Sequence, residues 1–253
     1  MNSPFETAAD SFPEPFRLLL RDSVHSTNDS LLELAKQGAP DGLVLLAHEQ
    51  SGGRGRRGAA WLSSAGENLT FSILNRPTQA RALWPRLSLV TGLAVAEAIE
   101  SFGGRAGIKW PNDLWIDGRK VAGILVEATD DAVVVGIGIN VHSTDFPESI
   151  AHTATSLDLA LGLGASRSEV LGAIIARFAV RRRQLDADFS QVLEAVRQRC
   201  VLSGQRVSLQ CAAGIRVGRV AGIGNGGELL LESNGRTEAL IQADEVRILE
   251  ESP

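Results

Sequence analysis

The pair Asp117-Gly118, set between the apolar runs Leu114-Trp115-Ile116 and Val121 to Val126, constrains the fold more than any other segment. An Asp-Gly connection favours positive φ at both positions, hence a type I′ turn, which fixes an antiparallel hairpin. Buried-type β runs also stand at Leu43 to Ala47, Leu69 to Leu74 and Val133 to Val141. The last is broken by Gly136 and Gly138, where another group can approach the backbone closely. Leu31, Leu32, Leu34 and Ala35 follow Ser26-Thr27-Asn28 at helical spacing, with Gly38 and Pro40 as stop signals. The same spacing predicts helices over 83–102, 168–183 and 189–199. After Cys200 come five short alternating runs, Val207 to Leu209, Ile215 to Val220, Leu229 to Leu231, Glu238 to Ile241 and Val246 to Leu249. Gly/Asn turns divide them, the pattern of a small β-barrel module. Residues 1–16, rich in Pro and acidic residues, read as a flexible arm. The chain is thus a mixed helix-strand body with an all-β tail.

Composition narrows the function. The 253 residues carry a net charge of -5, which argues against a nucleic-acid or anionic-membrane surface over most of the molecule. Any anion site must be local. The longest apolar stretches fall short of the ~18 residues of a bilayer span. The first 20 residues lack a basic start and an apolar run, so no secretory signal is expected and the cytoplasm is the expected location. Cys200 and Cys211, with four scattered histidines, fit neither a disulfide framework nor a zinc site. Lysines are scarce: Lys36, Lys109 and Lys120 are the only ones among 25 basic residues.

Gly53-Arg54-Gly55-Arg56-Arg57-Gly58 matches G-x-G-x-x-G after a strand. A dinucleotide-binding turn fits poorly, because residues 59–64 show no helical periodicity and three arginines crowd the motif. An RNA-binding Arg-Gly segment usually repeats, and this one occurs once. Alone, the hexapeptide is a solvated turn in a loop, residues 48–60, that reads as mobile when empty. Its neighbours change that reading. Gln50 and the Gly-Arg segment stand in order with Ser26-Thr27-Asn28, Lys109-Trp110-Pro111-Asn112-Asp113, Lys120-Val121-Ala122-Gly123-Ile124-Leu125 and Gly138-Ile139-Asn140.

This ordered set resembles the biotin protein ligases over roughly residues 20–200. The resemblance implies an α+β fold of class II synthetase type, with a central mixed or antiparallel sheet and flanking helices. A catalytic domain would span 17–200, and an SH3-like β-barrel 204–253. It implies ATP-dependent conversion of biotin to biotinyl-5′-AMP, with Mg²⁺, and transfer to a lysine of a biotin carboxyl carrier protein. Lipoate or octanoate ligation on the same fold is the alternative, and a non-catalytic Arg-Gly nucleic-acid module a more distant one. Only 25 residues precede Ser26, too few for the winged-helix domain of many bacterial relatives, so DNA binding and repression are not expected. Monomer and homodimer both remain open.

The resemblance also implies roles. Ser26, Thr27, Asn28, Gln50, Arg54, Gly55, Arg56, Lys120 and Gly123 would hold biotin. Arg54, Arg56, Arg57, Trp61, Lys109, Asn112, Asp113 and Asn140 would hold ATP or the adenylate, with Asp113 near Mg²⁺. Arg56, Lys109 and Lys120 would be catalytic. The chemistry suits such cations, since a carboxylate must approach a polyphosphate and the oxygens that gain charge must be neutralised. Each residue also has a plainer reading: a helix cap for Ser26, core for Trp61, solvated strand-end charges for the lysines. His48-Glu49-Gln50-Ser51-Gly52 departs from the small-residue stretch more usual in the family.

Overall fold

The computed structural model describes residues 11–62, 65–162 and 164–249. Seven strands form the first sheet: β1 (Arg17–Val24), β2 (Leu43–Gln50), β3 (Asn68–Asn75), β4 (Gly107–Lys109), β5 (Asp113–Ile116), β6 (Arg119–Ala128) and β7 (Val133–Asn140). Their order is β1-β2-β3-β7-β6-β5-β4. β1 and β2 run parallel and the other pairs antiparallel, so the sheet is mixed, as expected. Asp117 and Gly118 take φ of 49° and 76°, the type I′ turn that the β5–β6 hairpin needs.

Alternation along the strands assigns the two faces. Val44, Leu46, Leu69, Phe71, Ile73, Val135, Ile137 and Ile139 face the main core. That face is covered by α2 (Arg86–Ser101), α4 (Arg167–Ala187) and α5 (Phe189–Arg199), with the short α3 (Leu157–Leu161) between strand and helices. On the opposite face α1 (Thr27–Lys36) buries Leu31 and Ala35 against Leu45, Leu74 and Val134. Thr70, Ser72, Gly123, Gly136 and Gly138 also lie on the α1 face, where their small side chains leave room.

Arg81–Ser101 is long and apolar enough, by length and composition, to cross a membrane. It is not an uninterrupted apolar run, since Arg81, Arg86 and Glu97 lie within it. Its apolar residues are those of a core helix, with Leu87, Val90, Leu93 and Ala94 buried between sheet and α4. Residues 11–16 do not form the expected loose arm. Phe16 is 2% exposed, its ring edge-on to Phe178 at 5.8 Å, and Phe12 packs on the same core. Residues 1–10 of that arm lie outside the described residues.

The second sheet holds all five expected strands: β8 (Arg206–Cys211), β9 (Gly214–Ile223), β10 (Leu229–Ser233), β11 (Arg236–Leu240) and β12 (Glu245–Ile248). It is antiparallel, in the order β11-β10-β9-β8-β12. No ladder among the described residues joins β11 to β12, so the expected closed barrel is not found. Val207, Leu209, Val220 and Leu231 belong to the main core cluster. Trp110 Nε1 donates to Gly227 O at 3.0 Å, tying the turn before β10 to the first sheet.

Candidate active site

Register builds the floor of the site. Gly123 of β6 lies opposite Gly138 of β7, which lies opposite Thr70 of β3; one step along, Gly136 faces Ser72. The Trp61 indole rests on this floor, and a Cβ at Gly138 would sit 2.2 Å from its Cε2. A Cβ at Gly136 would meet Asn28 Oδ1 at 2.3 Å. These two glycines therefore serve close approach of a side chain to the sheet.

The N-terminus of α1 forms one wall. Ser26 is the N-cap, accepting from Asp29 N–H, and Ser26, Thr27 and Asn28 are all buried. Gln50 Oε1 accepts from Thr27 N–H at 2.8 Å and from Thr27 Oγ1 at 3.0 Å, which fixes the amide and leaves its NH₂ group as a donor. Ser72 Oγ lies 2.7 Å from Thr27 Oγ1 and 2.6 Å from Asn28 Oδ1, and its single proton serves one of them at a time. Asn28 Nδ2 donates to Glu127 Oε2 at 2.7 Å. The unusual 48–52 segment continues the pairing with β1, and Gly52 packs so closely on His25 that a Cβ there would stand 2.1 Å from its ring.

The Gly-Arg segment is not an irregular loop. Trp61 N–H donates to Gly53 O, Arg54 bridges Ala60, and Gly55 N–H donates to Ala59 O, which makes a small hairpin over the sheet. Its tip turns at Arg57 and Gly58, with φ of 56° and 75°. The three arginines have different surroundings. Arg54 is held by Asp29 through two hydrogen bonds, at 2.5 and 2.7 Å, and approaches Glu127 at 3.4 Å. Arg57 pairs with Asp244 at 2.5 Å. Arg56 has no carboxylate within ion-pair distance among the described residues, and donates to Asn112 Oδ1 at 3.4 Å. Burial pushes its pKa down, opposed by the charges of Asp113 and Asp244. A half-buried cation without a direct counter-ion is suited to receive an anion.

These groups line a cavity of about 220 Å³ that is open to solvent. All nine residues expected to hold biotin line it: Ser26, Thr27, Asn28, Gln50, Arg54, Gly55, Arg56, Lys120 and Gly123. Asn112 and Asp113 line it too. Lys120 Nζ stands 2.7 Å from Asp113 Oδ1 as an ion pair without hydrogen-bond alignment. A second cavity, of about 530 Å³, is lined by Asn68, Asn140, Ser143, Phe146 and Ile150 and shares Ala60, Trp61 and Lys120 with the first. Trp61 Nε1 is buried with no hydrogen-bond partner among the described residues.

Arg57 and Lys109, expected at the nucleotide, line neither cavity. The Lys109 ammonium lies over the Trp115 ring at 4.3 Å, and burial depresses its pKa, with Asp113 opposing the shift. Sequence reasoning missed Asp29, Glu127, Ser72 and Asp244. Asp29 carried a local signal as an acidic residue in the first turn of α1. Asp244 carried none, being 187 positions from Arg57.

A model of the biotin/lipoate A/B protein ligase family matches residues 20–143. The biotin--[acetyl-CoA-carboxylase] ligase of Mycobacterium tuberculosis is 36% identical over 234 residues, covering 88% of this chain and 86% of its own. The chain belongs to the biotin protein ligase family. The Paracoccus denitrificans ligase of the same name is 32% identical over 231 residues, covering 87% of this chain and 95% of its own. The Aquifex aeolicus biotin protein ligase, solved with biotin and ATP, superposes with a TM-score of 0.84 at 31% identity, covering 92% of this chain and 99% of that one. Within this family frame the hairpin 53–61, the sheet floor and the α1 N-terminus form one site.

Proposed function

We propose that the chain joins biotin to ATP, giving biotinyl-5′-AMP and pyrophosphate, and then passes the biotinyl group to a lysine of a biotin carboxyl carrier protein such as the acetyl-CoA carboxylase subunit. The observation that supports this reading is the meeting of two cavities at Lys120 and Trp61, room for an acid in one beside a nucleotide in the other. The ureido ring, a neutral head with one acceptor and two donors, suits the fixed hydroxyl and amide groups of Ser26, Thr27, Asn28 and Gln50. The biotin carboxylate then points toward Lys120 and Arg56. The orphan Trp61 N–H marks a donor awaiting a ligand atom.

In the first step a carboxylate oxygen attacks the α-phosphorus, and the bond from that phosphorus to the pyrophosphate oxygen breaks. Arg56 and Lys120 neutralise the converging anions, and the hairpin shields the mixed anhydride from water. In the second step the carrier amine attacks the biotinyl carbonyl, an amide forms and AMP leaves. No nucleophilic side chain is required. Asn140 and Trp61 serve the nucleotide, and Lys109 acts through the local field beside Asp113.

Mg²⁺ fits as an ion carried on the ATP phosphates, since it is usually bound by one or two carboxylates together with phosphate and water. Asp113, one of the carboxylates that line the two cavities with Asp244 and Asp145, would be the one to hold it, and among the described residues no cluster of three His, Cys, Asp or Glu forms a cage. Bound there, the ion would supply charge neutralisation on the phosphates. We place the reaction in the cytoplasm, and DNA is not part of the reading. Incubation with ATP, Mg²⁺, biotin and an isolated carrier domain should add one biotinyl group to a single carrier lysine by intact mass. Addition of lipoate or octanoate instead, or no addition, would overturn the proposal.

A further inference from the structure

We infer that Asp244, on the second sheet, is a positioning residue that holds the tip of the Gly-Arg hairpin so that Arg56 faces the reacting carboxylate. The inference rests on the adenylating role proposed above. Asp244 stands just before β12, and its N–H donates to Gln210 O of β8 at 2.6 Å, which anchors it to the sheet. Its side chain is 7% exposed, its Oδ2 lies 2.5 Å from Arg57 Nη2, and it lines the first cavity.

The hairpin is thus held at two places, at its base by helix α1 and the first sheet and at its tip by the residue that leads into β12 of the second sheet. Asp29 and Glu127 grip its base through Arg54, and Asp244 grips its tip through Arg57. Arg56 lies between the grips. At φ of 56°, Arg57 occupies the left-handed region that non-glycine residues seldom adopt, and this turn sends Arg56 and Arg57 in different directions. Such a conformation persists where surrounding contacts enforce it, and the buried carboxylate of Asp244 is the contact at this position. The second sheet would therefore contribute to adenylation through the hairpin it holds.

The test pairs Asp244→Asn, which keeps the volume and removes the charge, with the exchanged pair Arg57→Asp/Asp244→Arg. In the substrate-free protein, hydrogen exchange of the amides over residues 53–61 should quicken about fivefold in Asp244→Asn, the scale of one partly desolvated charge pair. The exchanged pair should return it to within about twofold of the parent, since it restores the attraction with opposite polarity. In the full enzyme Asp244→Asn should lower kcat for biotin-dependent pyrophosphate exchange about tenfold, with a smaller change in KM, because Arg56 acts on the transition state. Unchanged hairpin exchange in Asp244→Asn, or an exchanged pair as fast as the single variant, would overturn the inference. The amide measurement needs no substrate, so a parent protein inactive with biotin would refute the proposed function and leave this result to judge Asp244 separately.

Discussion

Gly138→Ala isolates the part played by the flat floor. The added methyl would stand 2.2 Å from Trp61 Cε2 and 2.6 Å from both Cζ2 and Nε1. Ordinary contact begins near 3.4 Å, so either the indole or strand β7 must retreat by about 1 Å. β7 is paired on both sides, with β3 and β6, whereas Trp61 stands at the end of a small hairpin; the indole therefore moves. Overpacking of this kind costs ~1–3 kcal/mol when the surroundings cannot yield. Because Trp61 can yield, the loss of stability should fall at the low end, a drop in Tm of about 2–4 °C for a chain this size. The effect on chemistry is larger, since a 1 Å misplacement at a reacting centre can cost about 100-fold. Steady-state pyrophosphate exchange with biotin should fall about 10- to 100-fold in kcat/KM. Unchanged kinetics in a protein that melts normally would refute the claim that Trp61 on the glycine floor shapes the site.

Arg56→Ala should slow adenylate formation at least about tenfold and speed escape of preformed biotinyl-5′-AMP, read by rapid quench and by filtration of the bound intermediate. Ser72→Ala removes a buried hydroxyl that partners Thr27 and Asn28, and should cost about 1–3 kcal/mol in chemical denaturation while raising the KM for biotin. For Lys109 the sign follows from burial. Its pKa lies below the ordinary 10.5, so between the two values the unfolded chain holds more protons and unfolding free energy from this group rises with pH. Lys109→Met should flatten that rise in denaturation curves taken across the alkaline window, and an identical pH slope would sink the assignment.

Much of the scaffold was legible because it rests on local rules. The Asp117-Gly118 turn, the α5 boundaries and the five strands of the second sheet each announce themselves through turn chemistry or periodicity. β1 did not, because as an edge strand it carries Arg21, Asp22 and Ser23 in place of a continuous apolar face. β4 is only three residues long. The nine residues expected around biotin were placed by motif resemblance, and they converge because strand register and the α1 cap bring distant segments to one face. The resemblance also assigned Arg57 and Lys109 to the nucleotide; here Arg57 pairs with Asp244 and the Lys109 ammonium lies over Trp115. Partner choice of this kind depends on tertiary neighbours far along the chain, which leave no mark in the local sequence.

The central claim is adenylation of biotin, and pyrophosphate–ATP exchange tests it most directly. Purified protein with Mg²⁺ and ATP should exchange label when biotin is added, and should not when lipoate or octanoate is the only acid present. Exchange with lipoate or octanoate in place of biotin, or no exchange with any acid, would contradict the account.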